Sequence, residues 1–286
     1  MRLCRFNEDR LGLVRQDHVI DVTAVLDRLP SFRYPLPKFD PFIAKLDGLR
    51  DYIEGLADGQ PGIPIAEVKF ASPVANPGKI IAAPVNYQRH LDEAREDPEI
   101  HHRNQIAEIE RVGLFLKATS SVIGPSEQIM MRHPDRRTDH EIELAVVIGK
   151  NADRVPAHRA LQYVAGYCIG LDITVRGPEE RSLRKSVDTY TVLGPWLVTA
   201  DEIADPSQLS LKLSVNGEVR QNANTDDLIM DVPGLIAFAT RFYSVVPSDV
   251  LLTGTPEGVG PIKPGDVIQS EISQIGAMTT SVQAHS

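Results

Sequence analysis

Hydrophobic and polar positions change their spacing several times along the chain, and each change marks an element. Early on, "RLCRFN", "RLGLVRQ" and "HVIDVTAVL" read as short strands. A charged, weakly helical stretch follows, "FIAKLDGLRDYIEGLADGQ". "PGIPIAEVKFASPVANPGK" then holds the densest proline and glycine punctuation of the first half, which predicts a boundary or linker. It separates a small N-terminal domain, residues 1–72, from a larger one, residues 73–286.

"KIIAAPVNY" predicts a buried strand that runs into "QRHLDEAREDPEIHHRNQIAEIERVG", a segment rich in charge and short of large apolar residues. A segment that buries so little has low local stability, so it is read as a mobile flap of helix and loop, interrupted at Pro98. From Leu114 onward β-branched runs bounded by turn residues dominate: "GLFLKATSSVIG", "HEIELAVVIGK" and "YVAGYCIGLDITV". Asn216-Gly217 in "LKLSVNGEVRQ" is a strong hairpin signal. "MDVPGLIAFATRFY" is the one clear amphipathic helix, followed by the strand "DVLLTGT" and, in "KPGDVIQSEI", a turn and a late strand. Many strands and few helices predict a β-rich α+β fold.

One apolar run resists simple burial. "DHEIELAVVIGK" places Glu141 and Glu143 at the head of Leu, Ala, Val, Val and Ile. Strand alternation projects both acids from one face, with Cα atoms roughly 7 Å apart, while Ile142 faces the other way. A third acid, Asp172, sits in "GYCIGLDITV". Buried carboxylates are costly unless compensated. Three oxygen donors with no sulfur and no obvious histidine ligand suit a hard cation, Mg²⁺ or Mn²⁺. A half-exposed strand with Asp172 paired to Arg176 would carry the same pattern, and spacing alone leaves both readings open.

Composition narrows the partners. A net charge of -9 and a pI near 5.4 argue against nucleic acid, which needs a basic footprint. Cys4 and Cys168 form no CxxC pair and read as packing residues in a reducing compartment. "MRLCRFNEDR" lacks the apolar core of a signal peptide, and no stretch approaches the roughly 20 apolar residues of a membrane span. The expectation is a soluble cytoplasmic protein with no membrane partner. There is no GxSxG elbow, GxxxxGK[ST] loop or GxGxxG helix start, and "TGTPEGVG" is a weak nucleotide loop. The adjacent His101 and His102 point different ways on any regular element and read as solvated.

Five segments in order, "HEIELAVVIGK", "YVAGYCIGLDITVR", "KSVDTYTVLGPW", "VNGEVRQNANTDDLI" and "DVLLTGTPEGVGPIKPGD", resemble the signature segments of the fumarylacetoacetate hydrolase family. The resemblance runs from about Gly78 to near the C-terminus, and the N-terminal segment resembles the small β-rich domain of many members. It implies a mixed β-roll-like catalytic domain, homodimeric, with Mg²⁺ or Mn²⁺ held by Glu141, Glu143 and Asp172. It also implies a flap pair, His90 and Glu93, whose spacing of three puts them on one helical face. Lys185 matches a family lysine near the substrate, and Arg176, Gly254 and Thr255 match substrate-side positions. Members often read "NDVSARDLQ" with a longer link to that lysine; this chain reads "LDITVRGPEERSLRKS". Leu171 precedes the Asp, Glu179 stands near the usual Gln, and the link is short, so substrate preference is where this chain is expected to differ.

The activity implied is metal-dependent hydrolysis of a carbon–carbon bond in a 2,4-diketo acid, an acylpyruvate-like substrate, to a pyruvate-type 2-oxo acid and a carboxylic acid. His90, oriented by Glu93, would be the base acting on water, and Lys185 would help the cation stabilise the enolate. The alternatives are decarboxylation of oxaloacetate-type acids, isomerisation or hydration of unsaturated 2-oxo diacids, and metal-dependent binding without turnover.

Overall fold

The strand Ile142–Ile148 is buried along its whole length, and the main sheet is built outward from it. The structure is a computed structural model and describes residues 1–101 and 107–285, apart from the side chain of His101; the reading of His101 and His102 as solvated lies outside the described residues. On one flank Ile142–Ile148 pairs antiparallel with Val164–Asp172, which pairs with Thr191–Thr199. Thr191–Thr199 receives Arg2–Phe6 through Arg2 opposite Val198 and Leu3 opposite Leu197. Arg10–Arg15 and His18–Asp21 extend the sheet as successive hairpins. On the other flank Val250–Leu252 leads to Ile80–Ala82 and then Phe115–Lys117. The sheet's path is open, and the strand-rich α+β reading holds.

A second sheet contains the hairpin of Ser210–Val215 and Glu218–Asn224. Asn216 and Gly217 turn it with φ of 52° and 82°, the paired left-handed conformations that a two-residue turn requires. Thr138–His140 lies between Thr174–Val175 and Gly260–Pro261 in a small third sheet.

Alternation along Ile142–Ile148 serves two apolar cores. Ile142, Leu144, Val146 and Ile148 enter the larger cluster, Ala145 and Val147 the other. The helix Pro41–Ala57 covers that second cluster with Phe42, Ile43, Leu46, Leu49 and Ile53. It is the longest helix among the described residues, where the sequence pattern predicts only weak helicity. Asp40 caps it, accepting from the N–H groups of Phe42 and Ile43, and Pro41 sits in its first turn. The helix expected in "MDVPGLIAFATRFY" spans only Val232–Ala239 and is mostly apolar, so the clearer amphipathic helix is the earlier one.

In the charged flap segment, Gln88–Glu96 is helical, stops before Pro98, and buries His90, Leu91 and Ala94. Cys4 and Cys168 are both buried and free; burial pushes each thiol up to about 12. Among the described residues no helix is long and apolar enough to cross a membrane.

Candidate active site

Glu143 has the strand parity of Ala145 and Val147, Asp172 that of Cys168, and Lys117 that of Phe115. All four apolar residues belong to the helix-covered cluster, so these charges emerge on the same face of the main sheet. Glu141 immediately precedes its strand, and its carbonyl accepts from the Asp172 N–H at 2.9 Å. One carboxylate oxygen from each of Glu141, Glu143 and Asp172 lies within 4.8 Å of the other two, and all three residues are buried.

Cations from three further segments converge on these acids. Lys185 Nζ donates to Glu141 Oε2, Asp172 Oδ2 and Thr174 Oγ1, each at 2.6 Å. Buried Lys117 donates to Asp172 Oδ1 and, at 2.8 Å, to the carbonyl of Tyr190. Arg176 donates from Nη2 to Glu141 Oε1 at 2.9 Å and from Nε to Asp139 Oδ2 at 2.7 Å. Arg176 thus joins Glu141 to Asp139, and the counter-charges on Asp172 are lysines.

The three acids are not equivalent. Burial alone would raise Glu141, but Lys185 and Arg176 hold its pKa down to about 2. Glu143 instead receives the backbone N–H of Gly254 at 2.6 Å. Burial, and then the charge of Asp172, push its pKa well above the usual carboxylate range. Burial also lowers Lys117, against the opposing pull of Asp172. Glu143 is therefore the position in most need of positive charge. A divalent cation among three oxygen donors supplies it, and the donor set fits Mg²⁺ or Mn²⁺.

His90 Nδ1 lies 2.8 Å from Glu93 Oε2, and Glu93 Oε1 accepts from the N–H of Gly258 at 3.0 Å. The glycine-rich turn thereby fixes the carboxylate that holds the histidine. A cavity of about 340 Å³ opens here, with His90, Glu141, Arg176, Arg181, Arg184 and Lys185 among its walls. The remaining predicted residues, Glu93, Glu143, Asp172, Gly254 and Thr255, are not among the described wall residues. Gly254 acts through its N–H on Glu143; its φ is 96°, and a Cβ there would meet Asn86 Cβ at 2.7 Å. Thr255 Oγ1 accepts from Gln221 Nε2 at 2.8 Å.

Sequence reasoning missed Lys117, Asp139, Arg181 and Arg184. Lys117 had a signal, because it shares the buried parity of Phe115 in a three-residue strand. Asp139 heads the run "DHEIELAVVIGK" and accepts from its neighbour Arg137, yet the partner that links it to Glu141, Arg176, lies 37 positions away.

Comparison with known proteins adds to this geometry. The family profile described as fumarylacetoacetate (FAA) hydrolase C-terminal matches residues 79–283. A maleylpyruvate hydrolase of Aquipseudomonas alcaligenes is 57% identical over 288 residues, covering 99% of this chain and 100% of that protein. The crystal structure of maleylpyruvate hydrolase from Sphingobium sp. SYK-6, in complex with manganese(II) and pyruvate, is 40% identical. It superposes with a TM-score of 0.84 over 100% of both chains. The mitochondrial oxaloacetate tautomerase FAHD2A of Homo sapiens is 36% identical over 240 residues, 79% of this chain and 73% of that one.

Proposed function

The chain belongs to the fumarylacetoacetate hydrolase family, and from that premise we propose that it hydrolyses a carbon–carbon bond in an acylpyruvate. The products are a pyruvate-type 2-oxo acid and a carboxylic acid. The observation that carries this reading is that one cavity is walled both by Glu141 and Lys185 of the acid cluster and by His90 of the flap helix.

The enzyme is metal-dependent, and the manganese- and pyruvate-bound relative supports both the cation and the pyruvate end of the substrate. In this reading Glu141, Glu143 and Asp172 hold Mg²⁺ or Mn²⁺. When bound, the cation supplies Lewis-acid polarisation of the 2-oxo acid. Glu93, 2.8 Å from His90 Nδ1, fixes the tautomer in which Nδ1 carries the proton, leaving Nε2 to accept one from water. The water oxygen bonds to the acyl carbonyl carbon. The bond from that carbon to the methylene breaks, and its electron pair becomes the enolate. Lys185 offers positive charge where that enolate develops, itself held by Glu141 and Asp172. Proton return from His90 to the methylene carbon gives the 2-oxo acid, so one water is consumed overall.

The same reading makes the protein a homodimer, as the family resemblance implies, and its two free cysteines suit a reducing, cytoplasmic setting; light scattering in solution checks the dimer. The activity is tested by incubating the protein with acetylpyruvate and Mn²⁺, Mg²⁺ or chelator, and following pyruvate. Metal-dependent release is expected. No release, together with turnover of oxaloacetate, would favour the second reading to which the tautomerase relative points.

A further inference from the structure

Arg184 is 6% exposed, yet its Nη1 has no hydrogen-bond partner among the described residues. Its Nε donates to the carbonyl of Glu179 at 2.9 Å, which holds the guanidinium from one side, and the residue lines the cavity. The short helix Arg181–Lys185 brings Arg181, Arg184 and Lys185 to the cavity wall and leaves Leu183 62% exposed. Arg181 and Arg184 are three positions apart and so share a helix face.

The acids nearby are engaged elsewhere. Glu179 accepts from Arg136 at 2.7 and 3.0 Å. Glu180 caps the helix, accepting from the Ser182 N–H at 2.7 Å. Glu141 is shared between Lys185 and Arg176. Burial, then the charges of Arg176 and Arg181, pull the pKa of Arg184 below its ordinary value. A buried guanidinium without an anion of its own is costly. A carboxylate from the cavity would relieve that cost through the two-pronged geometry arginine favours.

We propose that Arg184, with Arg181 beside it, forms the subsite for a second carboxylate at the far end of the acyl group. The chain thereby prefers acylpyruvates with a carboxylated tail over those with a neutral one. This rests on the acylpyruvate reading, which puts the pyruvate end at the acid cluster and leaves the tail to extend along Arg181–Lys185. A cavity of about 340 Å³ is on the scale of a small-ligand site. The two arginines also lie in the segment that departs from the family pattern, so the departure acquires a function.

The test compares kcat/KM for maleylpyruvate, whose tail ends in a carboxylate, with that for acetylpyruvate, whose tail is a methyl, in the full-length Mn²⁺-loaded enzyme. Wild type favours maleylpyruvate, and Arg184→Met reduces the ratio roughly 10- to 150-fold, the loss of one charged hydrogen bond, chiefly through KM for maleylpyruvate. Arg184→Lys, which keeps the charge but not the fork, falls between. A merely structural arginine would lower both substrates together and leave the ratio unchanged, which overturns the subsite alone. Wild-type enzyme that releases pyruvate from neither substrate overturns the hydrolase reading and the subsite with it. A measurement independent of any variant is inhibition of the wild type: maleate competes more tightly than acetate, and equal inhibition overturns the subsite.

Discussion

Lys185 Nζ donates to Asp172 Oδ2 at 2.6 Å, tying together the two ends of a thirteen-residue step along the chain. The segment between them carries Arg176, Arg181 and Arg184, which face the same cavity, and Arg176 ties the segment a second time through Asp139 and Glu141. The short link that sets this sequence apart is therefore anchored at the acid cluster itself.

Glu143 has the raised pKa and the backbone partner of a group waiting for positive charge. Glu143→Gln keeps the shape and the Gly254 contact but removes the charge. Mn²⁺ affinity measured by calorimetric titration is expected to fall by more than the roughly 10- to 100-fold typical of losing an outer-shell partner. An unchanged titration would remove Glu143 from the ligand set.

His90→Ala should leave metal binding close to wild type, because His90 contacts Glu93 and not the clustered carboxylates. Turnover at saturating Mn²⁺ is expected to drop by about 10²- to 10⁴-fold, the usual contribution of a general base. Full activity in this variant would assign the proton transfer elsewhere.

Gly254→Ala forces a side chain into a left-handed backbone and against Asn86, at a residue whose N–H holds Glu143. A loss of roughly 1–3 kcal/mol in denaturant unfolding is expected, with weaker metal binding. Wild-type stability would show that the turn relaxes without consequence.

Acid should act on stability at a site remote from catalysis. Burial works to raise Asp201, but bonds from Arg50 and Thr199 hold its pKa at about 2, below the ordinary 3.8. A depressed carboxylate stabilises the fold above its unfolded pKa and loses that contribution as pH falls through the folded value. Wild type should therefore resist denaturant better than Asp201→Asn at pH 7, and the advantage should vanish between about pH 4 and pH 2. Asp201 is 56% exposed, so added salt should also shrink the difference. An advantage that persisted at pH 2 would exclude the ion pair as its source.

How much of this could be read in advance depended on whether the determining contact was local. Alternation alone put Glu141 and Glu143 on one face, and the Asn216-Gly217 turn declared itself from two residues. The helix Pro41–Ala57 was underread because its exposed face is heavily charged, although Asp40 followed by Pro41 is a start signal. The divalent cation was legible from the oxygen donors, but the side-chain counter-charges on the acids were not legible from local pattern. Lys117 meets Asp172 across 55 positions, and Lys185 meets Glu141 across 44; no sequence window contains both members of either pair. Arg184 could not be distinguished from a solvated arginine until the fold buried it.

The pairing of Arg2–Phe6 with Thr191–Thr199 also imposes a timetable on synthesis. Arg2 finds Val198 only after almost 200 further residues have been made, about 10–40 s at roughly 5–20 residues per second. Phe70–Ala71 pairs with Arg5 and Phe6 early, but until residue 198 the Arg2–Leu3 end of that edge stays unpaired and able to pair with another nascent chain. Slower elongation through the intervening stretch would lengthen that exposure, so codon choice there bears on yield as well as speed.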